Sequence, residues 1–231
     1  MKLAVIPARG GSKRIPRKNI REFFGKPMIA WTIETATRSG LFDRVVVSTD
    51  DDEIASVARE HGAEIPFVRP AAIADDMATT GQVMRHAVEV LQSGGQAFSA
   101  VCCIYPTAPF MRAEDLAAGL TKLVAGDGLD YVFSATEFGF PIQRAFRLTA
   151  GGAVEMLQPG HLKTRSQDLE PCYHDAGQFY WGTADAWLAE RPVFASRSAA
   201  ILLPRRRVHD IDTPEDWAVA ELAFKVLAAQ S

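Results

Sequence analysis

Long apolar runs are missing from this 231-residue chain, and the N-terminal stretch offers only Leu3, Ala4, Val5 and Ile6 before Pro7. That is too short for a membrane span or for the apolar region of a secretion signal, so a protein that is neither secreted nor membrane-inserted is expected. Cysteine is scarce too. Cys102, Cys103 and Cys172 are odd in number, lack CxxC spacing, and include two neighbours in an apolar run. A disulfide framework and a zinc site are thereby excluded, Cys103 reads as a small buried hydrophobe, and a reducing cytoplasm fits. An excess of positive charge is missing as well: 25 Lys and Arg face 28 Asp and Glu, a net charge of −3. Nucleic acid is not an expected partner, and Arg205, Arg206 and Arg207 read as a solvated or interface element. Internal repeats, low-complexity tracts and long linkers are absent. So are GxxxxGK[ST] and GxGxxG, which sets aside P-loop kinases and ATPases and the dinucleotide-dependent dehydrogenases.

What is present is punctuation of the βαβ type. Residues 3–8, 44–49, 100–105 and 131–135 are short apolar runs rich in β-branched and aromatic residues, separated by stretches with helical spacing. Residues 51–61 place Ile54, Val57 and Ala58 on one face and stop at Gly62, while Thr80 precedes Val83, Ala87, Val90 and Leu91. A last strand at residues 200–203 leads to a helix with Thr213 as N-cap, Pro214 at its first position and Asp216 closing a capping box. After about residue 138 the alternation loosens into a hairpin at residues 146–157 around Gly151 and Gly152, then a polar segment. One α/β domain over residues 1–231 is expected: a mostly parallel sheet, helices on both faces, and a small β-rich insertion at about 138–180.

The first strand runs into Pro7-Ala8-Arg9-Gly10-Gly11-Ser12-Lys13-Arg14-Ile15-Pro16-Arg17-Lys18-Asn19, a loop with five cations between Arg9 and Lys18. Two glycines let its backbone N–H groups approach a ligand, and a triphosphate suits both features. Open α/β sheets bind ligands at this place, beyond the carboxyl ends of their strands. At the other end of the chain, Asp210 and Asp212 stand two apart on extended backbone, so both side chains project from one face and can share a hard cation. Asp212 also suits a helix N-terminus. Asp50 reads equally as a site acid and as a helix cap.

Residues 6–19, IPARGGSKRIPRKN, resemble the opening motif of the CMP-sugar synthetases, the acylneuraminate cytidylyltransferase family. Ser48-Thr49-Asp50, Arg69-Pro70, Asp76 with Thr79 and Thr80, Pro106-Thr107-Ala108-Pro109 and Asp210-Ile211-Asp212-Thr213 follow in the family's order and approximate spacing. The likeness covers nearly the whole chain. Residues 102–110, 166–171 and 173–181 are similar to the branch acting on pseudaminic acid, with Tyr105 where sialate-activating relatives have Gln.

The resemblance implies a Rossmann-like nucleotidyltransferase fold and a reaction between CTP and a nine-carbon acidic sugar. Pseudaminic acid is the first expectation, and N-acetylneuraminic or legionaminic acid the alternatives. A non-catalytic nucleotide- or sugar-acid-binding module is the reading of a different class. The sugar's anomeric hydroxyl attacks the α-phosphorus in line with departing pyrophosphate, chemistry that needs alignment and charge neutralisation more than a protein nucleophile. The expected catalytic residues are Arg9, Lys13, Lys18 and Asp210, with Mg²⁺ (or Mn²⁺) on Asp210 and Asp212. Either a carboxylate such as Asp210 or a metal-bound hydroxide takes the proton. The implied nucleotide pocket comprises Ala8, Arg9, Gly10, Gly11, Ser12, Lys13, Asn19, Arg69, Thr79, Thr80 and Tyr105. Arg69 reads alternatively as a strand-end charge and the Thr pair as a helix cap. An acidic, N-acylated sugar calls for a cation, hydrogen-bond donors and aromatic surface, which the insertion supplies in Gln143, Arg144, Arg165, Gln167, His174, Asp175, Gln178 and Tyr180. His174 reads alternatively as structural, and Phe179 and Trp181 as strand core. A homodimer joined through residues 138–175 is the implied assembly.

Overall fold

Successive residues of a strand point to opposite faces of its sheet, and here both faces are covered. The computed structural model describes residues 1–126 and 128–229. In chain order the elements are β1 (Lys2–Pro7), β2 (Glu22–Phe23), β3 (Lys26–Pro27), α1 (Met28–Arg38), β4 (Arg44–Ser48), α2 (Asp52–Glu60), α3 (Thr80–Ser93), β5 (Ala100–Ile104) and α4 (Ala113–Ala125). They continue as β6 (Tyr131–Glu137), β7 (Phe146–Leu148), β8 (Val154–Met156), β9 (Tyr173–Gly182), α5 (Ala184–Leu188), β10 (Ser198–Leu202) and α6 (Pro214–Ala228). The main sheet runs β10-β6-β9-β5-β1-β4, parallel except for β9, which pairs antiparallel with both β5 and β6. This is the α/β, mostly parallel, Rossmann-like arrangement expected.

On one face Ala4 and Ile6 of β1, Cys102 and Ile104 of β5 and Trp181 of β9 pack with Ile29 and Ile33 of α1, Ile54 of α2 and Leu116 of α4. On the other, Leu3, Val5, Val101, Cys103, Tyr131 and Tyr180 pack with Met84 and Val88 of α3 and Trp187 of α5. Cys102 and Cys103 thus face opposite sides. Burial raises both thiols, so each is a packing residue in a dry core.

Local chemistry sets the helix starts. Asp51 accepts from Ile54 N at the head of α2, and Thr79 with Gln82 forms a capping box at the head of α3. Thr213 with Asp216 does the same for α6, with Pro214 at its first position. A third cluster, in which Ile15, Phe23 and Phe110 meet Ile211 and Trp217, fastens α6 across the basic loop. Phe23 meets Trp217 edge-on at 5.5 Å, and the Arg21 guanidinium lies 4.6 Å over the Trp217 ring. Each of these buried aromatics contributes about 2–3 kcal/mol, and together they hold the Asp210–Asp212 segment against residues 9–19.

The insertion is shorter than expected. Residues 173–180 belong to β9, a buried strand of the main sheet, so the excursion covers 138–172 and carries the β7–β8 hairpin. Because β6 delivers the chain to the carboxyl edge and the excursion stays there, the returning strand must run antiparallel. The last strand lies at Ser198–Leu202 rather than at residues 200–203. Among the described residues no helix is long and apolar enough to cross a membrane.

Candidate active site

The basic loop leaves β1 at the carboxyl edge and frames a cavity of about 460 Å³. Arg9, Ser12, Lys13, Lys18, Asn19, Arg69, Thr80, Tyr105 and Asp212 line it, with Arg14, Pro106 and Thr107, which the site expectation left out. Arg9 donates to Asp76 at 2.5 Å, Lys13 donates to the same carboxylate, and Arg14 reaches Asp212 at 2.6 Å. Lys18 donates to Asp212 at 3.0 Å and to the Ile211 carbonyl at 2.7 Å. Hydrogen bonds from Lys13 and Arg9 lower the pKa of Asp76. The carboxylates therefore hold four cations round the rim, ready for exchange onto phosphate.

Gly10 is required at its position, since an added Cβ would lie 2.5 Å from Asp51 Oδ2. Asp51 is itself clamped by Arg17, whose hydrogen bond is the main cause of its pKa falling to about 2. The Gly10 N–H donates weakly to Asp50 at 3.3 Å, which gives Asp50 a loop-bracing contact. Gly11 has open space at the Cβ position and Ala8 is wholly buried at the end of β1. Asn19, also buried, donates to the Arg9 carbonyl at 3.0 Å and so fixes the loop's return.

Arg69 is 5% exposed. Its Nε donates to Ser48 Oγ at 3.2 Å and one terminal nitrogen to the Ser48 carbonyl. Burial lowers its pKa to about 10, which still leaves it charged at neutral pH, with a second terminal nitrogen to offer a ligand. Far from being a loose strand-end charge, it is a preset donor in the cavity wall.

Asp210 and Asp212 stand at the start of α6 facing this cavity's cations. Partial burial, then the adjacent Asp212 carboxylate, raises the pKa of Asp210. Among the described residues no group of three or more His, Cys, Asp or Glu could hold a metal ion. Two neighbouring carboxylates nevertheless fit Mg²⁺, which prefers oxygen ligands, keeps waters and shares its shell with substrate phosphates.

Thr80 and Tyr105 also line a second cavity of about 370 Å³, with Thr79, Asp175 and Tyr180. Thr80 Oγ1 lies 3.3 Å from Tyr105 OH, the Tyr105 and Tyr180 rings are 5.3 Å apart, and Tyr180 OH donates to Asp175. A β-bulge makes this possible. Phe133 pairs with Tyr180 but Ala135 pairs with Asp175, so β9 carries extra residues that turn through Gly177 at φ 61°. Ser134 Oγ accepts from the backbone N–H groups of Gln178 and Phe179, each at 3.2 Å. The bulge re-aims Asp175 and Tyr180 into one space. Burial first, then Tyr105 and Asp175, push the Tyr180 hydroxyl's pKa upward, so it is a fixed donor rather than a base.

The other six sugar candidates lie away from this cavity. Gln178, buried, donates to the Arg207 carbonyl at 2.6 Å. Gln143 donates to the Glu170 carbonyl at 2.8 Å and Arg144 to the Thr164 carbonyl at 2.5 Å. Arg165 pairs with Asp168 at 2.7 Å, and Gln167 lines a separate cavity within the insertion. His174 sits in β9 beside Phe138, with Nδ1 2.9 Å from the Asp175 carbonyl. Within one chain Gln143, Arg144, Arg165 and Gln167 build the insertion, while His174 and Gln178 belong to β9. Sequence reasoning missed Tyr131, Trp187, Glu190, Arg191, Val193 and Phe194, which complete the second cavity; no motif marks them, and only the fold brings residues 187–194 to α3. Arg207 is buried against Asp115, so the arginine run is no free cationic patch.

The description "Cytidylyltransferase" belongs to the family whose sequence model matches residues 3–140. Over 224 residues the chain is 49% identical to the pseudaminic acid cytidylyltransferase of Campylobacter jejuni subsp. jejuni serotype O:2, covering 97% of this chain and 96% of that one. It is 33% identical to the CMP-N,N'-diacetyllegionaminic acid synthase of Legionella pneumophila subsp. pneumophila, over 95% of this chain and 94% of that one. Among solved structures, CMP:2-keto-3-deoxy-manno-octonic acid synthetase complexed with CTP superposes with a TM-score of 0.66 at 18% identity, covering 99% and 98% of the two chains. That last likeness concerns the fold. A cation-rimmed cavity at the carboxyl edge of this sheet, and near-complete alignment with such relatives, have one common account: the chain belongs to the cytidylyltransferase family.

Proposed function

We infer that the protein is a CTP:pseudaminic acid cytidylyltransferase, joining CMP to a nonulosonic acid and releasing pyrophosphate. The observation that carries this reading is the meeting of two cavities at Thr80 and Tyr105, one rimmed by cations and the other by tyrosines and Asp175. The identity of the acid rests on the Campylobacter relative.

In the proposed mechanism Arg9, Lys13 and Lys18 exchange their carboxylate partners for the triphosphate and neutralise charge on the α-phosphate and leaving pyrophosphate. Arg69, with Thr80 and Tyr105, holds the cytosine end, whereas Thr79 lines the second cavity and Ala8 is buried. The acid lies in the second cavity, its anomeric oxygen directed past Tyr105 at the α-phosphorus; a C–O–P link forms as the bond to pyrophosphate breaks. Asp210 takes the proton released by the hydroxyl. Asp210 and Asp212 would hold Mg²⁺, which would supply charge neutralisation to the triphosphate.

A homodimer joined by the insertion is part of the proposal. Phe140, Phe146, Leu148, Val154, Leu157 and Leu162 are all exposed there, apolar surface of the kind an interface covers. Arg144 and Arg165 would then have a partner's site to reach. A cytoplasmic location, where CTP is made, completes the reading. The test is pyrophosphate release by the purified protein with CTP and Mg²⁺ on pseudaminic, N-acetylneuraminic and legionaminic acids. Release with pseudaminic acid above the others is expected; release with none of them overturns the assignment.

A further inference from the structure

The five cations between Arg9 and Lys18 do not all face the first cavity. Arg9, Lys13, Arg14 and Lys18 line it, whereas Arg17 turns its guanidinium to α2, donating to Asp51 at 2.5 and 2.9 Å and to Glu53. The two sets of partners differ in kind. Asp76 and Asp212 stand in the segments before α3 and α6, where an incoming phosphate competes with them for the cavity's cations. Asp51 and Glu53 belong to the head of α2, next to Ile54, which is 1% exposed in the core. An arginine bound there keeps its partners when the cavity fills.

The backbone at Arg17 is unusual as well. Its φ is 55°, in the left-handed region that suits glycine and that long side chains seldom take. Its carbonyl accepts from the N–H groups of Ile20 and Arg21 at 3.0 and 2.9 Å, and the Lys18 N–H donates to the Ile15 carbonyl at 3.2 Å. Within this tight turn two consecutive side chains part. Arg17 reaches α2, while Lys18 reaches Asp212 at 3.0 Å and the Ile211 carbonyl at 2.7 Å. The loop is thereby strapped between the head of α2 and the segment before α6. Asp51, which Arg17 grips, is also the residue whose Oδ2 would lie 2.5 Å from a Cβ on Gly10, so the same clamp fixes the start of the loop. A glycine at position 17 would make the turn without strain and hold nothing; the side chain accounts for the arginine.

Resting on the reading of the first cavity as the triphosphate site, we propose that Arg17 is a positioning residue. It does not touch the nucleotide, and through Asp51 and Glu53 it sets the place from which Arg9, Lys13 and Lys18 meet the phosphates.

The test is calorimetric titration of CTP, with Mg²⁺, into wild type, Arg17→Gly, Asp51→Asn and the double variant. Glycine keeps the left-handed turn and removes the clamp. Arg17→Gly binds CTP about tenfold more weakly, and the double variant is no worse, because both substitutions undo one clamp. The KM for pseudaminic acid at saturating CTP stays within about twofold of wild type, and the thermal midpoint falls by a few degrees at most. Wild-type affinity for CTP in Arg17→Gly overturns the proposal. So do losses that multiply in the double variant, which would put Arg17 on the triphosphate itself, and a KM for the acid that rises as much as the Kd for CTP, the mark of a general loosening. Failure of the wild type to bind CTP is a different result: it removes the nucleotide reading itself, and the proposal with it.

Discussion

Asp76 holds Arg9 through a 2.5 Å hydrogen bond between Oδ1 and Nη1, and its other oxygen takes Lys13. Both cations belong to the proposed triphosphate set, so in the free chain a carboxylate stands where phosphate is to come. Such exposed pairs are individually weak and easily exchanged. Asp76→Asn removes the competitor, and CTP is expected to bind about threefold more tightly, with a steeper dependence on salt. Titration of CTP by calorimetry at two ionic strengths reads both effects; weaker binding in the variant would mean that Asp76 chiefly pre-positions the two cations.

Asp212 has a double duty in the proposed site, as cation ligand and as the anchor of Lys18 and Arg14. Asp212→Asn is expected to cut kcat by roughly a hundredfold or more. Raising Mg²⁺ should recover part of a pure binding loss. A variant with full activity at ordinary Mg²⁺ would remove Asp212 from the metal site.

Gly10→Ala forces a methyl against Asp51 Oδ2, into a contact that real Cβ atoms do not show. Asp51 cannot yield freely, because Arg17 and the N-terminus of α2 hold it. The loop must move instead, and the expected signature is a rise of about tenfold in the KM for CTP with a thermal midpoint lowered by only a few degrees. A steady-state titration of CTP together with a melting curve decides it.

The same Asp51 gives a pH dependence of stability. Its folded pKa of about 2 lies below the ordinary carboxylate value of 3.8, so ionised Asp51 favours the folded state. The contribution is complete above about pH 4 and is lost as pH falls toward 2. For a group partly open to solvent it amounts to about 1–2 kcal/mol. Denaturant melts of wild type and Asp51→Asn at pH 6 and pH 3 should differ more at pH 6; an equal gap at both would contradict the linkage.

Legibility in the sequence followed the distance over which each feature is decided. The cap at Thr213 is settled within four residues and stood in the sequence as it stands in the fold, whereas for the third helix the sequence pointed to Thr80 or the Thr pair and the structure gives the cap to Thr79 with Gln82. The four leading strands announced themselves by apolar runs. Nothing local says that β9 lies between β5 and β6, because that depends on where the excursion after β6 returns the chain. Gln143 and Gln178 looked like ligand donors by composition, yet their amides serve carbonyls at Glu170 and Arg207. A sequence shows that a polar group is present, whereas its partner belongs to the tertiary structure. Phe194 and Arg191 went unnoticed for the same reason.

The sheet order also dictates a timetable. β4, β1 and β5 are neighbours and lie within the first 104 residues, so half of the sheet can assemble as soon as those residues exist. β6 cannot join them, because its neighbours are β9 and β10, both made later. The last-made quarter of the chain is thus the keystone, and a nascent protein halted before residue 173 carries β6 as an open edge, in need of shelter until its partners emerge.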